Sequence, residues 1–257
     1  MATTPMVRVV EREFQVYRRL WRGVAFSMFL SPLLFLAAMG VGLGGLIDES
    51  SGDVAGVSYL EFVAPGLLVA SAVQLAAGEA LWPVVAGVKW IRMYHGMVAT
   101  PIRAADVFGG FVLWQTIRTM LGATVFLFVA ALLGAIPSAW GVLAIPAAGL
   151  TAAAFCAPLA AFSVMQETDF RFPVIMRLGI LPLFLFSGTF FPIDELPNWL
   201  EPLAVLSPLW HGVELARRAT TADWSLLPVV GHVAFLVAIV AAGWCVGTRT
   251  FTRRLTP

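Results

Sequence analysis

Charge is scarce in this chain: Asp, Glu, Lys and Arg together make up 12% of 257 residues, against a hydrophobic share of 60%. Soluble globular domains carry about 25% charged residues, so an ordinary water-soluble fold is excluded. Cysteine is nearly missing too. Cys156 and Cys245 both fall in apolar runs, which leaves no disulfide frame or cysteine metal cluster and makes them small apolar residues. The three histidines, His95, His211 and His232, form no H-E-x-x-H zinc motif. His211 and Glu214 lie one helical turn apart but have no third metal ligand in the sequence nearby. No serine, histidine and acid set falls at one depth, which argues against an intramembrane hydrolase. The G-x-x-x-x-G-K-[ST] phosphate loop is also lacking, so the chain shows no evident nucleotide site and its energy is expected from a partner or an ion gradient. GVGLGG at residues 40–45 fits a dinucleotide pattern only formally, because it lies in an apolar run with no preceding strand. A net charge of +1 gives no reason to expect nucleic acid.

What is present is six long apolar stretches: Gly23–Leu46, Tyr59–Ala86, Val107–Leu133, Val142–Met165, Phe172–Phe191 and Leu226–Val246. Mean hydropathy over the chain is +0.88. About 20 apolar residues cross a bilayer as a helix, and lone strands cannot satisfy their backbone groups in lipid. The expected fold is therefore an all-α polytopic membrane protein with six transmembrane helices in one domain over residues 1–257. Basic residues set its orientation. Arg8, Arg12, Arg18, Arg19 and Arg22 precede the first span, and Lys89, Arg92 and Arg103 lie between spans two and three. Arg171 lies between four and five, and Arg249, Arg253 and Arg254 follow six. The alternate connections carry acids: Asp48, Glu49, Asp53, Asp194, Glu195, Glu201, Glu214 and Asp223, with only Arg217 and Arg218 against the pattern. Both termini are expected in the cytoplasm, with the chain multi-pass in the cytoplasmic (inner) membrane. The basic, acid-containing N-terminus before a long apolar run does not read as a cleavable signal peptide.

Within residues 1–22, Val7, Val10, Phe14, Tyr17 and Trp21 share one helical stripe, as for an amphipathic helix in the headgroup layer. Gly40 with Gly44, and Gly243 with Gly247, are spaced for close helix packing. The loop over residues 87–104 is basic and aromatic; a helix from about Lys89 to Ala99 would expose Trp90, Ile91, Tyr94 and Met97, either to a soluble partner or as headgroup anchors. Three charges lie inside spans: Glu79, Arg118 and Arg177. Glu79 precedes Lys89 by ten positions and Arg118 follows Asp106 by twelve, so both lie roughly 15–18 Å from the same ends of antiparallel neighbours. They are expected to pair, as a strut or as a substrate-facing site; Arg177 is expected to snorkel. Between spans five and six, residues 192–225 carry Pro192, Pro197, Pro202 and Pro208 among Phe190, Phe191, Trp199 and Trp210. This segment is too broken for one helix and too apolar for a solvated loop. Two short re-entrant helices fit, about Leu196–Val205 and Pro208–Ala219, with Asp194 capping the first and Pro208 starting the second.

The strings SGTFFPIDELPNWL and SPLWHGVELARR, with ATPIR at residues 99–103, resemble type-2 ABC exporter permeases. The branch resembled includes lipo-oligosaccharide (nodulation-factor) and daunorubicin-type drug exporters, and it places a glutamate and an arginine where Glu79 and Arg118 fall. The resemblance covers the whole chain and implies a dimerising permease driven by separate ATP-binding subunits. Two such subunits would serve each complex, holding the ATP and Mg, and the second permease would be another copy or a relative. It assigns Trp90, Ile91, Arg92, Tyr94 and His95, with Thr100 and Pro101, to a coupling helix seated in the ATPase. The Val7–Trp21 helix becomes a connecting helix. Residues 191–220 become the outer gate, with Phe190, Phe191, Pro192, Trp199, Pro208, Trp210 and His211; Trp210 and His211 depart in flavour from the family.

The residues themselves leave an ion-coupled carrier or channel as the alternative. Such carriers often show internal repeats and several intramembrane acids; here Glu79 is the one acid well inside a span, and no repeat links the halves. Few polar side chains line the spans (Gln74, Gln115, Ser163 and Ser187 among them), which suits an amphiphile and leaves drug, glycolipid and polysaccharide open.

Overall fold

Helix punctuation in this chain is local and chemical. Ser58 opens one helix with a reciprocal cap: its hydroxyl accepts from the Glu61 amide at 3.4 Å, and the Glu61 carboxylate accepts from the Ser58 amide at 3.3 Å. The Asp106 carboxylate accepts from the Arg103 amide at 3.2 Å at the start of another. The computed structural model describes residues 4–44, 56–223 and 225–256, with only the helical backbone described at 20–22, 24–29, 31–32, 40–41 and 43–44. The acids Asp48, Glu49 and Asp53, the side chains of Trp21 and Arg22, and the packing at Gly40 and Gly44 lie outside the described residues.

Among the described residues the regular elements are all helical. In chain order, α1 is Pro5–Leu36, continued by a π-helical stretch Ala37–Gly44; α2 is Tyr59–Val85, continued by the wide turn Ala86–Trp90. Then come α3 Met93–Val98, α4 Ala104–Leu132, α5 Ala144–Ser163 and the apolar run α6, Phe172–Phe186. The last three are α7 Glu201–Val205, α8 Pro208–Thr221 and α9 Leu226–Leu255. Among the described residues, four helices are long and apolar enough to cross a membrane: Tyr59–Trp90, Ala104–Leu132, Ala139–Ser163 and Leu226–Leu255.

Helix α5 is the centre, touching α2, α4, α8 and α9. Its buried face is mostly alanine, including Ala148, Ala152, Ala157 and Ala160. Small residues let neighbouring backbones approach where lipid supplies no hydrophobic contrast. At the α9 crossing, a Cβ on Gly243 would lie 2.8 Å from Pro158 Cδ. The buried Ser163 hydroxyl donates to the Leu81 carbonyl at 2.6 Å, tying α5 to α2. One buried cluster (Val84, Val88, Tyr94, Phe108, Phe251) sits at the end that gathers both chain termini. A second (Leu67, Leu68, Phe126, Val129, Leu209, Val213) sits toward the opposite end. The arginine-rich segments therefore share one end of the bundle, and residues 187–223 lie at the other.

Two expectations change. No break separates the N-terminal segment from the first apolar stretch: α1 runs through both. Against α4 it packs through Phe14 and Tyr17, whose rings meet Trp114 edge-on, and through Val9, which lies off the Val7–Trp21 stripe. Val9 is buried whereas Val7 and Phe14 are exposed, because Gly109 and Gly110 make a notch in α4. A Cβ on Gly110 would lie 2.6 Å from Val9 Cβ and 2.9 Å from the Met6 carbonyl. Finally, the first outer helix starts at Glu201 rather than Leu196, and Asp194 lies inside a 3-10 turn, Ile193–Glu195, instead of capping a helix. Leu196 precedes Pro197 and is held extended at ψ 151, as a residue before proline prefers.

Candidate coupling face and intramembrane ion pair

At the basic end, α2 widens into the Ala86–Trp90 turn and the chain reverses at Arg92, whose φ of 55° is left-handed. The expected continuous helix from Lys89 to Ala99 is thus split, and only Met93–Val98 is α-helical. Trp90 and Ile91 project outward, 63% and 70% exposed. Arg92, His95, Thr100 and Pro101 are exposed beside them. The Thr100 hydroxyl donates to the Met97 carbonyl at 2.6 Å, closing the turn before α4.

Tyr94 corrects the sequence expectation most clearly. It is buried, not exposed: its ring lies 6.0 Å from that of Phe251 on α9 and fills the space over Gly87, where a Cβ would meet it at 2.7 Å. Burial pushes its phenol well above the ordinary tyrosine range. Tyr94 is therefore an inward anchor that fixes α3 to α2 and α9. Beside it, Glu167 in the loop after α5 accepts from Arg254 at 2.6 Å and also pairs with Lys89. The Lys89 ammonium, then the Arg254 guanidinium, hold this exposed carboxylate below its usual range. Sequence reading missed Glu167 because its partners lie 78 and 87 positions away.

Deeper in the bundle the structure brings Glu79 and Arg118 together, with Nη1 2.8 Å from Oε1. The buried Gln115 amide donates to the other carboxylate oxygen at 3.4 Å. The two charged side chains are 26% and 18% exposed, so they lie at the edge of the single chain's packed interior. Glu79 belongs to a partly exposed stripe of α2 that also holds Ser71, Gln74, Gly78 and Trp82, whereas most of the helix is buried and apolar. Arg177 is exposed on α6.

At the opposite end α8 is wedged against α2 and α5. A Cβ on Gly212 would lie 2.1 Å from the Thr151 hydroxyl, so only glycine permits this approach. Pro208 opens α8 behind Ser207, whose hydroxyl accepts from the Leu209 amide at 3.2 Å. The two arginines that broke the charge pattern are neutralised here. Arg217 meets Glu214 at 2.7 Å, the Gly188 carbonyl at 2.6 Å and the face of Phe62 at 4.1 Å. Arg218 meets Asp223 at 2.7 Å. Phe190 stacks edge-on against Phe184 at 5.2 Å, Phe191 and Pro192 are half-buried, and Trp199 is exposed.

His211 contacts a residue that sequence reading left unused: its Nδ1 lies 2.8 Å from Nδ1 of His232 on α9. One ring must donate and the other accept, so at least one is neutral. Trp210 packs edge-on to both rings, and Phe235 stacks on His211 at 3.9 Å. Among the described residues no group of three or more His, Cys, Asp or Glu is placed to hold a metal ion.

A family model described as ABC-2 type transporter matches residues 6–220 of the chain. Nodulation protein J of Rhizobium leguminosarum bv. viciae is 28% identical over 239 residues, covering 91% of this chain and 90% of that protein. Nodulation protein J of Rhizobium meliloti is 27% identical over 241 residues, covering 92% and 90%. The inner membrane transport permease YadH of Escherichia coli is 24% identical over 240 residues, covering 91% and 90%.

Proposed function

Because this chain belongs to the ABC-2 type transporter family, as a membrane-embedded transport subunit, we propose that it drives outward movement of an amphiphilic substrate using ATP hydrolysed on a partner. The observation that carries this reading is the build of the basic end. Trp90 and Ile91 stand exposed on a loop whose next turn is pinned by Tyr94 between Gly87 and Phe251. An exposed aromatic and aliphatic pair on a rigidly anchored loop suits a soluble partner's pocket, since such anchors dominate interface energetics. Force applied at Trp90 passes directly into α2 and, through Tyr94, into α9. Two ATP-binding subunits bearing ATP and Mg2+ would seat there, one beneath each of two permeases, with the second permease a copy or a relative.

In this reading six helices span the cytoplasmic membrane, with α1 from Gly23 onward and α6 added to the four long apolar helices. Both termini lie in the cytoplasm, and α7 and α8 form the outer gate. Glu79 and Arg118 keep charge balanced at mid-depth, and the Ser71–Gln74–Glu79 stripe gives the path its few polar contacts. A lipo-oligosaccharide or an amphiphilic drug fits such a lining. The test is co-expression with a candidate ATP-binding-cassette subunit from the same genome. Co-purification, with ATP hydrolysis stimulated by lipo-oligosaccharide or daunorubicin, is the expected result; a permease that transports alone on an ion gradient would overturn the reading.

A further inference from the structure

A cavity of about 390 Å³ opens at the basic end, lined by Val88, Lys89, Arg92, His95 and Arg254. Its cations come from separate pieces of chain: the end of α2, the reversal at Arg92, and the last turn of α9. Arg92 holds a left-handed backbone, unfavourable for a residue with a side chain, and such strain concentrates at functional positions. The Arg92 and His95 side chains make no ion pair or hydrogen bond among the described residues. Lys89 and Arg254 are both held by Glu167. Two of the cavity's cations therefore share one acid, and Arg92 lines the cavity beside them.

The two sides of that contact differ in character. The Lys89 and Arg254 side chains are 30% and 25% exposed and line the cavity, whereas Glu167 is 64% exposed and meets them from a loop. Ion pairs to so exposed a group are weak and exchange readily. Trp90 and Ile91 border the same loop, so a protein that grips them brings its own side chains to the cavity. We propose that Glu167 is an internal stand-in for a carboxylate of the ATP-hydrolysing partner, which displaces it from Lys89 and Arg254 on docking. This rests on the coupling reading above and adds its chemistry: the partner presents an acid beside an apolar pocket, and α9 takes part in the joint through Arg254.

The test uses the full permease in nanodiscs and the co-purifying ATP-binding subunit, with affinity read by biolayer interferometry. Glu167→Gln frees both cations and should tighten binding about two- to five-fold, the range an exposed ion pair spans. Lys89→Gln with Arg254→Gln should weaken it about ten-fold, and on that background Glu167→Gln should add nothing. Raising NaCl from about 50 to about 500 mM should shrink both effects. Glu167→Ala serves as a second variant, and tryptophan fluorescence on heating checks that each folds. Unchanged or weaker binding by folded Glu167→Gln and Glu167→Ala, with Trp90→Ala/Ile91→Ala still abolishing it, overturns the stand-in and leaves the coupling reading intact. Normal binding by Trp90→Ala/Ile91→Ala removes the coupling reading itself. Unchanged ATPase affinity in Lys89→Gln/Arg254→Gln, with loss of retained phosphatidylglycerol, assigns the cavity to a lipid headgroup and also overturns the proposal.

Discussion

Removing one charge from the Glu79–Arg118 pair is the most demanding test of the bundle interior. The nearest charged atoms are 2.8 Å apart. With charge centres about 4 Å apart and an effective dielectric near 20, their attraction is roughly 4 kcal/mol. Desolvation cancels part of that. A lone charge at the centre of a membrane helix costs about 2.5–3.5 kcal/mol on insertion scales. Both side chains keep some exposure in the single chain, 26% and 18%, which favours the lower end. Glu79→Gln and Arg118→Gln should each lose about 2–3 kcal/mol of stability. The double variant should lose about 1 kcal/mol, since no lone charge remains, giving a coupling near 3–5 kcal/mol. Gln115 keeps an oxygen to donate to in Glu79→Gln, so that single variant should be the milder. Unfolding in graded SDS micelles, followed by tryptophan fluorescence, measures all four corners of the cycle, and transport is assayed in parallel. Recovery of both stability and transport in the double variant marks a strut; recovery of stability alone marks a substrate contact. Additive single losses, with coupling under about 0.5 kcal/mol, would refute the pairing.

Tyr94→Ala should destabilise the fold by about 3–5 kcal/mol through the cavity left against Phe251, and Tyr94→Phe should be nearly silent. Trp90→Ala should leave thermal stability intact and weaken the ATPase complex, so the two neighbours separate folding from docking. Glu167 titrates below its free value, so its ion pairs add stability that is complete above about pH 4.3 and is lost as pH falls through the lowered folded value. Glu167→Gln should therefore flatten the stability profile of the permease in that acid window, with its small loss of stability at neutral pH constant with pH. Cysteines introduced by Ser51→Cys and Asn198→Cys should react with an impermeant thiol reagent added outside intact cells, and those from Arg12→Cys and Thr252→Cys should not. Outside labelling at Thr252→Cys would contradict the six-span topology.

The Glu79–Arg118 contact was legible because a short connection joins α2 and α4. Counting residues from Lys89 and from Asp106 then gives each charge a depth on an antiparallel neighbour. Pro208 marked the start of α8 for an equally local reason, its fixed φ and missing amide. What sequence could not reach depends on distant partners. Tyr94 looked like an exposed aromatic among cations, and only Phe251, far along the chain, turns it inward. His232 read as a lone histidine in a span until α8 and α9 brought it to His211. The continuity of α1 was hidden because an amphipathic helix and an apolar one share the same 3.6-residue period, so the change of environment near Gly23 carries no mark of a break. Its docking through Val9 rather than Val7 is decided by Gly109 and Gly110, on another helix.

The measurement that bears most directly on the coupling reading is site-directed cross-linking from the exposed loop. With a photoreactive side chain replacing Ile91, 70% exposed, ultraviolet illumination of membranes containing the co-expressed ATP-binding subunit should join the two chains in high yield. A probe replacing Trp199 at the opposite end should join nothing to that subunit. Cross-linking from the Trp199 position, or none from Ile91 in a complex that still hydrolyses ATP, would contradict the account.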